Sequence, residues 1–245
     1  MLALLHTSPV HVPVFDALRD RHHPHLRLRH FVDEELLHRA RRESPDAVTD
    51  EVRAVLDRAV AEGARAVLCT CSTIGGVAET VGAGAKVPVL RVDRPMAAAA
   101  VAAGPRVVAV ATVESTLAPT VALIEDEARR AGRPVTVRPL LVGSAWARFQ
   151  AGDTEGYVRE VAGAADAIGS ADADVIVLAQ ASMAPAQHLT TTPVPTLSSP
   201  RPGLAAAARA TETTQTTQTA LPPETSVATG ISGPAELGRA DGIPG

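Results

Sequence analysis

Aromatic side chains are scarce in this sequence, at 2% of its 245 residues. Proteins that bind single-stranded nucleic acid stack bases on aromatic side chains, so this class loses its support. The 23 Lys and Arg residues are outnumbered by 27 Asp and Glu, which argues against an electrostatic surface for nucleic acid. No run approaches the roughly 18–20 apolar residues of a membrane span. We therefore expect neither nucleic acid nor a membrane as a partner.

Cysteine is equally rare, since Cys69 and Cys71 are the only two. They are too close in sequence for an ordinary disulfide, and a metal site built on cysteines needs further ligands at a spacing that the sequence lacks. The apolar start, residues 1–5, is too short for a signal peptide and has no basic region before it. The sequence therefore predicts a cytoplasmic protein with free thiols and no metal centre.

Short apolar runs alternate with amphipathic runs along most of the chain. Helical spacing of apolar residues predicts helices over 45–63, 115–131 and 154–168. Eight apolar runs predict strands, at 2–6, 26–31, 65–70, 87–91, 106–112, 135–141, 173–179 and 194–197. This alternation is typical of an α/β fold with mainly parallel sheets.

The sequence also repeats itself at an offset of about 105 to 110 residues. Three pairs of segments keep their order, namely 4–7 with 108–112, 66–72 with 176–182, and 87–90 with 194–197. A duplicated fold explains this order better than chance similarity between apolar strands. It predicts two pseudo-symmetric, three-layer α/β lobes with the active-site cleft between them.

The lobe boundaries follow from the repeat. We predict an N-terminal lobe at 1–95 and a C-terminal lobe at 96–200, with a helix at 202–209 returning to the first lobe. Residues 211–245 are rich in Thr, Gln, Pro and Gly and have few large apolar groups. This composition predicts a disordered tail.

The candidate site residues lie beyond the predicted strand ends. Ligands of open α/β sheets bind outside the carboxyl ends of the strands, and a pseudo-dyad would direct four such ends into one cleft. The candidate substrate-binding residues are His6, Thr7, Ser72, Thr73, Thr112, Ser115, Thr116, Gln180, Ala181 and Ser182. Ser115 is equally well explained as a helix cap.

Cys71 is the candidate catalytic residue. It ends a predicted strand and precedes a helix that opens with Ser72 and Thr73. The helix dipole and the first N–H groups of a helix favour a thiolate, and they also bind a carboxylate or an enediolate oxygen. The alternative is a cysteine that only packs, which is the role that we predict for Cys69 inside the strand.

Several other residues leave two interpretations open. His6 is either a substrate ligand and acid–base group or a hydrogen-bonded structural histidine. Arg91 either pairs with Asp93 or meets an acidic substrate. Trp146 and Phe149 are predicted to pack.

At these residues the sequence resembles the aspartate/glutamate/hydantoin racemase superfamily over about residues 1–209. The similar segments are the strand end His6-Thr7, residues 70–75, residues 87–93, Ala111-Thr112, and residues 178–183. The resemblance implies two similar α/β lobes around a ligand cleft. It also implies chemistry without a cofactor at a carbon next to a carboxylate or carbonyl, and a homodimer.

The family's racemases carry two cysteines, one in each lobe. One thiolate removes the α-proton, and the other thiol delivers a proton to the opposite face. Cys71 matches the first cysteine. The second falls at Gln180 when residues 178–183 are laid on the family's Leu-Gly-Cys-Ala-Gly-Met, or at Ala181 when the internal repeat is used. Neither position holds a cysteine.

A single thiol leaves three functions open. The sequence favours an isomerase of amino acid metabolism that acts on a small amino acid or related acid, with His6 or a bound water as the second base. The alternatives are a one-thiol lyase similar to arylmalonate decarboxylase or a cis-trans isomerase with a nucleophilic thiolate, and a binding protein for small carboxylates. In this prediction Ser72, Thr73, Thr112 and Ser182 bind carboxylate oxygens, and His6 and Gln180 orient the substrate.

Overall fold

Two four-stranded sheets form the framework of the computed structural model, which describes residues 1–220 and the side chains of residues 1–213. The strands are β1 (Leu2–His6), β2 (Leu28–Val32), β3 (Ala66–Cys69), β4 (Val89–Arg91), β5 (Arg106–Ala111), β6 (Thr136–Leu141), β7 (Val175–Leu178) and β8 (Thr196–Ser198). The strand orders are β2-β1-β3-β4 and β6-β5-β7-β8, and the strand pairings in both are parallel. The second sheet thus repeats the first, and the predicted two-lobed α/β fold is confirmed.

Helices flank both sheets. In the described part of the chain they are α1 (His11–His22), α2 (Glu34–Arg42), α3 (Thr49–Ala61), α4 (Ser72–Gly82), α5 (Arg94–Ala103), α6 (Glu114–Ala131), α7 (Gly143–Gln150), α8 (Thr154–Asp166) and α9 (Pro200–Ala220), with 3₁₀ helices at Pro45–Val48 and Ala181–His188. The segment predicted as one helix over 45–63 is a 3₁₀ turn followed by α3. The Thr49 hydroxyl closes that turn by donating to the Asp46 carbonyl over 2.7 Å.

Alternate side chains of each central strand enter two different cores. In β1, Ala3 and Leu5 pack with α2, α3 and α4, whereas Leu2 and Leu4 pack with α1 and with Leu204 of α9. In the second lobe, one face of the sheet packs with α7 and α8 and the other with α5 and α6. Each lobe therefore has three layers, with a buried parallel sheet between two layers of helices.

The last helix runs further than the sequence indicated. Helix α9 continues to Ala220, so the prediction of a disordered tail at 211–245 is wrong for residues 211–220. No Gly or Pro interrupts the sequence between 204 and 220, and the Thr211 side chain is buried, at 2% exposed. The remainder of that prediction, residues 221–245, lies outside the described residues.

One arginine links the two lobes. Arg94, at the start of α5, pairs with Glu79 of α4 in the first lobe and with Asp126 and Glu127 of α6 in the second. The pairs with Glu79 and Asp126 measure 2.6 and 2.9 Å. Because several partly buried charges share one guanidinium, this network holds α4 and α6 together beside the cleft.

Arg91 and Asp93 form a buried ion pair at the end of β4. The Nε–Oδ1 and Nη2–Oδ2 distances are 2.7 and 2.9 Å, and the side chains are 6% and 0% exposed. The Arg91 side chain also lies against Gly75 of α4, where an added Cβ would approach Nε to 3.0 Å. Arg91 therefore pairs with Asp93, which was the first of its two interpretations. Its guanidinium does not line the cavity between the lobes.

Removing the Asp93 charge is expected to destabilise the fold. Asp93→Asn leaves a buried guanidinium without a counter-ion, which costs about 3 to 5 kcal/mol of unfolding free energy. Urea denaturation measures this loss. The matched control is Glu155→Gln, which breaks the exposed Glu155–Arg159 pair and is expected to cost less than about 1 kcal/mol. Equal losses in the two variants would contradict the interpretation.

Candidate active site

The strand ends of both lobes face one small cavity. Cys71 follows β3 as the N-cap residue of α4, and its side chain is partly exposed. From the first lobe, the cavity is lined by Thr7, His11, Thr70, Cys71, Ser72 and Thr73. From the second lobe, it is lined by Thr116, Trp146, Phe149, Gln180, Ala181 and Ser182. The structure therefore brings most of the predicted site residues together, with the exceptions of His6, Thr112 and Ser115.

Gln180 occupies the position in the second lobe that Cys71 occupies in the first. Each is the second residue after a central strand, β7 or β3, and each is the N-cap residue of the helix that follows. Their backbone angles are also similar, with φ and ψ of −118° and 141° for Gln180 and −104° and 118° for Cys71. The structural counterpart of Cys71 is therefore Gln180, and the alternative alignment with Ala181 is wrong by one residue.

The Gln180 side chain binds the start of α6. Its Oε1 atom accepts hydrogen bonds from the Thr112 amide, the Thr112 hydroxyl and the Val113 amide, at 2.6, 2.9 and 3.3 Å. The prediction that Thr112 binds a substrate carboxylate is thus not supported, because its donors already serve Gln180. The amide Nε2 is the end of Gln180 that is left for the cavity.

Two serines predicted as carboxylate ligands also have partners inside the protein. The Ser72 hydroxyl donates to the Ala179 carbonyl over 2.8 Å, so it joins the two lobes at the cavity. The Ser182 hydroxyl lies 2.8 Å from the hydroxyl of the buried Tyr157. Burial raises the pKa of Tyr157, so the phenol stays protonated at neutral pH. Ser72 is therefore a structural link, whereas Ser182 faces the cavity with support from Tyr157.

His6 lies behind the cavity rather than in its wall. The Thr70 hydroxyl donates to the Leu5 carbonyl over 3.1 Å, so it accepts from His6 Nδ1 over 2.8 Å. The other nitrogen, Nε2, lies 2.8 Å from His30 Nδ1, and His30 Nε2 lies 3.3 Å from Asp16. Both nitrogens are occupied by protein partners, which supports the structural interpretation of His6 over a role in substrate binding.

Burial sets the protonation state of two histidines near the cavity. Burial, with smaller contributions from His30 and His11, lowers the pKa of His6 from its ordinary 6.5 to about 3. Burial likewise lowers the pKa of His11 to about 4. Both imidazoles are neutral at pH 7 in the folded protein, whereas an unfolded chain would protonate them below pH 6.5.

Stability is therefore expected to fall on acidification. Between pH 6.5 and the lowered pKa, the unfolded state binds more protons, and each pH unit costs about 1.4 kcal/mol for each histidine. Urea denaturation at several pH values measures the slope. His6→Gln is expected to reduce that slope, and His25→Gln, at an exposed position, is the control that leaves it unchanged. A slope that His6→Gln does not alter would contradict this assignment.

Sequence reasoning missed four residues that line the cavity, namely His11, Thr70, Trp146 and Phe149. His11 begins α1, and no described residue forms a hydrogen bond with its ring. Trp146 and Phe149 of α7 stack with ring centroids 4.9 Å apart, and the buried Trp146 Nε1 has no partner among the described residues. Arg41 of the first lobe lies 5.8 Å from the Trp146 ring. The two aromatic side chains do pack, as predicted, but they also form a cavity wall.

Ser115 does not cap α6, and it lies outside the cavity wall. The N-cap residue of α6 is Val113, and no side chain caps this helix. The Ser115 hydroxyl is buried without a hydrogen-bond partner among the described residues, and it is not part of the cavity wall. The sequence places this serine near the start of the helix but does not indicate in which direction its hydroxyl points.

The cavity suits an anion. No Asp, Glu, Lys or Arg side chain lines it, whereas it offers the N-terminus of α4 and several neutral donors. Thr7, Thr73 and Thr116 are buried as residues, but their hydroxyls line the cavity and make no hydrogen bond with the described residues. By contrast, Cys69 packs in the first core and donates to the Cys71 carbonyl, and burial raises the pKa of its thiol. Cys71 is thus the thiol that a ligand can reach.

These features define a class of protein, namely a two-lobed parallel α/β protein with a strand-end thiol in a cavity between the lobes. The chain belongs to the Asp/Glu/Hydantoin racemase family, whose model matches residues 12–210. No curated protein matches the chain significantly.

Solved structures of two racemases and of a decarboxylase share the fold. Aspartate racemase from Picrophilus torridus superposes with a TM-score of 0.67 at 14% identity, covering 87% of this chain and 94% of that one. Glutamate racemase from Aquifex pyrophilus has a TM-score of 0.58 at 14% identity, covering 85% and 83%. A variant of arylmalonate decarboxylase in a sulfate-associated form has a TM-score of 0.58 at 20% identity, covering 86% and 93%.

Two further observations concern ions and membranes. Within residues 1–220, no group of three or more His, Cys, Asp and Glu side chains is arranged to hold a metal ion. No helix in the same part of the chain combines the length and the apolar character that a membrane span requires.

Proposed function

We propose that this protein is a cofactor-independent isomerase that moves a proton at the carbon next to the carboxylate of a small amino acid or related acid. The observation that carries the proposal is the position of Cys71, an accessible thiol at the N-terminus of α4 in the cavity between the lobes. Since Gln180 is its counterpart, the cavity holds one thiol where the family's racemases hold two. A free, reachable thiol also suits a reducing cytoplasm. A homodimer stays a prediction.

The substrate carboxylate binds through neutral donors in this proposal. The unpaired hydroxyls of Thr7, Thr73 and Thr116 replace the predicted ligands Ser72 and Thr112, whose hydroxyls are occupied. The same donors, together with the α4 N-terminus, stabilise the enediolate that forms when the α-proton leaves.

Cys71 and His11 carry one proton between them in this proposal. For one enantiomer, the neutral His11 imidazole removes the α-proton and the Cys71 thiol delivers its proton to the opposite face. The other enantiomer reacts through the resulting thiolate–imidazolium pair, in which Cys71 removes the α-proton and His11 delivers one. His11 takes over the role predicted for His6, because its ring lines the cavity and is not bound to a protein partner. Its pKa of about 4 keeps the imidazole neutral at pH 7, so it can accept a proton. Gln180 Nε2 remains neutral and acts only as a hydrogen-bond donor toward the substrate.

Deuterium incorporation tests the proposal. The protein is incubated in heavy water with a panel of amino acids, hydantoins and substituted malonates, and NMR follows both exchange at the α-carbon and chirality. Exchange with loss of enantiomeric purity is the expected result. Exchange that keeps the configuration would show a proton carrier on one face only. Retained ligand binding without exchange would favour a non-catalytic carboxylate-binding protein.

A one-thiol lyase is the second candidate. A single thiol suffices to protonate one face of the carbanion that remains after loss of carbon dioxide. The stacked Trp146 and Phe149 provide an apolar wall beside the carboxylate that leaves as uncharged carbon dioxide. Deuterium that enters only together with loss of carbon dioxide from a malonate would favour this function over the isomerase. A cis-trans isomerase would instead interconvert unsaturated diacids without α-proton exchange.

A further inference from the structure

The Cys71 cavity is much smaller than the space beside it. Its volume is about 60 Å³, and it is lined by the strand-end residues to which the proposed function assigns the reacting carboxylate. A long substituent on the reacting carbon would extend beyond these residues.

A second, larger cavity begins where the first one ends. We name it the distal groove; its volume is about 920 Å³, and it runs between α1, α5, the 3₁₀ helix Ala181–His188 and the start of α9. Four residues line both cavities, namely His11, Phe149, Ala181 and Ser182. The two spaces therefore adjoin at these four side chains.

The floor of the distal groove is apolar. It is formed by Val10, Val14, Leu18, Met96, Ala99 and Leu197. Val10 and Val14 are 45% and 38% exposed, which places them among the exposed large apolar side chains of the protein. Burying this surface against a ligand is favourable by the hydrophobic effect.

The charged groups that line the distal groove are all basic. They are Arg21, His22, His188 and Arg201, and no Asp or Glu side chain is part of the lining. None of these four makes an ion pair with another described residue. Partial desolvation and the neighbouring Arg201 and Arg21 lower the pKa of His22, so the two guanidinium groups lie near this ring. An anion placed among them would relieve their mutual repulsion.

We propose that the distal groove binds an apolar arm of the substrate that ends in a second anionic group. The inference rests on the proposed function, since it assigns the reacting carboxylate to the Cys71 cavity. The substrate class is therefore an elongated acid, with an apolar chain between the reacting carbon and a terminal carboxylate or phosphate that Arg21 and Arg201 bind.

Binding of a ligand series tests this assignment without turnover. Calorimetry on the full chain compares straight-chain dicarboxylates from succinate to sebacate with monocarboxylates of matching length. Affinity is expected to rise by about fourfold for each added methylene, which corresponds to burying one CH₂ group. Once the chain spans the groove, the dicarboxylate is expected to bind about tenfold more tightly than the monocarboxylate, and high salt is expected to remove that advantage.

Matched variants locate the binding. Ala99→Trp fills the groove from an exposed position on α5, and Ala98→Trp adds the same bulk at the exposed neighbouring position outside the groove. Ala99→Trp is expected to abolish the chain-length dependence, and Ala98→Trp to retain it. Arg201→Gln is expected to remove the advantage of the dicarboxylate, whereas Arg209→Gln, on the same helix outside the groove, retains it.

The outcomes separate this inference from the proposed function. Proton exchange on short acids with no dependence of affinity on chain length would support the isomerase and overturn the groove assignment. Chain-length dependence without exchange would support the groove and count against the isomerase. A change in sedimentation of Ala99→Trp with unchanged ligand affinity would show that a second copy of the chain covers the groove, and it would overturn the proposal.

Discussion

Replacing Cys71 with serine is expected to lower the rate of α-proton exchange by about 10³-fold, within the range that one general acid–base group contributes. The serine hydroxyl keeps the shape of the side chain at the N-terminus of α4 but is not ionised near neutral pH. Exchange is followed by NMR in heavy water on whichever acid of the panel the wild-type protein labels. The thermal midpoint of the variant is measured beside it, because an unfolded variant would also lose exchange.

Cys69 supplies the matched control. It lies two residues before Cys71, but its thiol is fully buried in the first core and donates to the Cys71 carbonyl. Cys69→Ala is expected to lower stability by the loss of packing while leaving exchange within a few-fold of the wild-type rate. Exchange that survives in folded Cys71→Ser, or that disappears in folded Cys69→Ala, would contradict the role assigned to Cys71.

Replacing His11 with glutamine is expected to lower racemisation by about 10²-fold or more. If His11 carries the second proton, the variant retains the Cys71 side of the reaction, so one enantiomer continues to exchange its α-proton without inverting. Chiral chromatography and NMR, applied to the same incubation, separate inversion from exchange. His25→Gln, on the exposed surface, is expected to change neither rate.

A compensating substitution makes this test sharper. Gln180 is the counterpart of Cys71 in the second lobe, so Gln180→Cys places a thiol where the family's racemases carry their second one. In the His11→Gln background it is expected to restore inversion. Equal loss of exchange and inversion in folded His11→Gln would instead show that His11 holds the substrate and carries no proton.

The sequence predicted the fold well because the fold depends on patterns that many residues share. Each predicted strand is a run of apolar residues, and the repeat between 66–72 and 176–182 corresponds to the equivalent strands β3 and β7. Burial of both sheet faces requires such runs in a parallel sheet. One substitution does not remove a pattern that many residues share, so the strands can be predicted from the sequence.

The site was predicted less completely, because the hydrogen-bond partner of a single polar side chain depends on the tertiary structure. Ser72 and Thr73 are adjacent and chemically similar, but the Ser72 hydroxyl binds the Ala179 carbonyl of the other lobe, and Thr73 is left for the cavity. His6 and His11 differ in the same way, since only His6 has a hydrogen-bonded neighbour for each nitrogen. The contacts that decide these roles join residues far apart in the chain, and local sequence does not encode them.

The hydrogen bond from Ser72 to Ala179 also bears on motion between the lobes. It joins the first residue of α4 to the strand end before Gln180, and the Arg94 network joins α4 to α6. Any motion that draws the lobes apart must break both contacts. Their combined strength therefore sets how often the cavity widens, and with it how quickly a ligand that needs the wider form is captured.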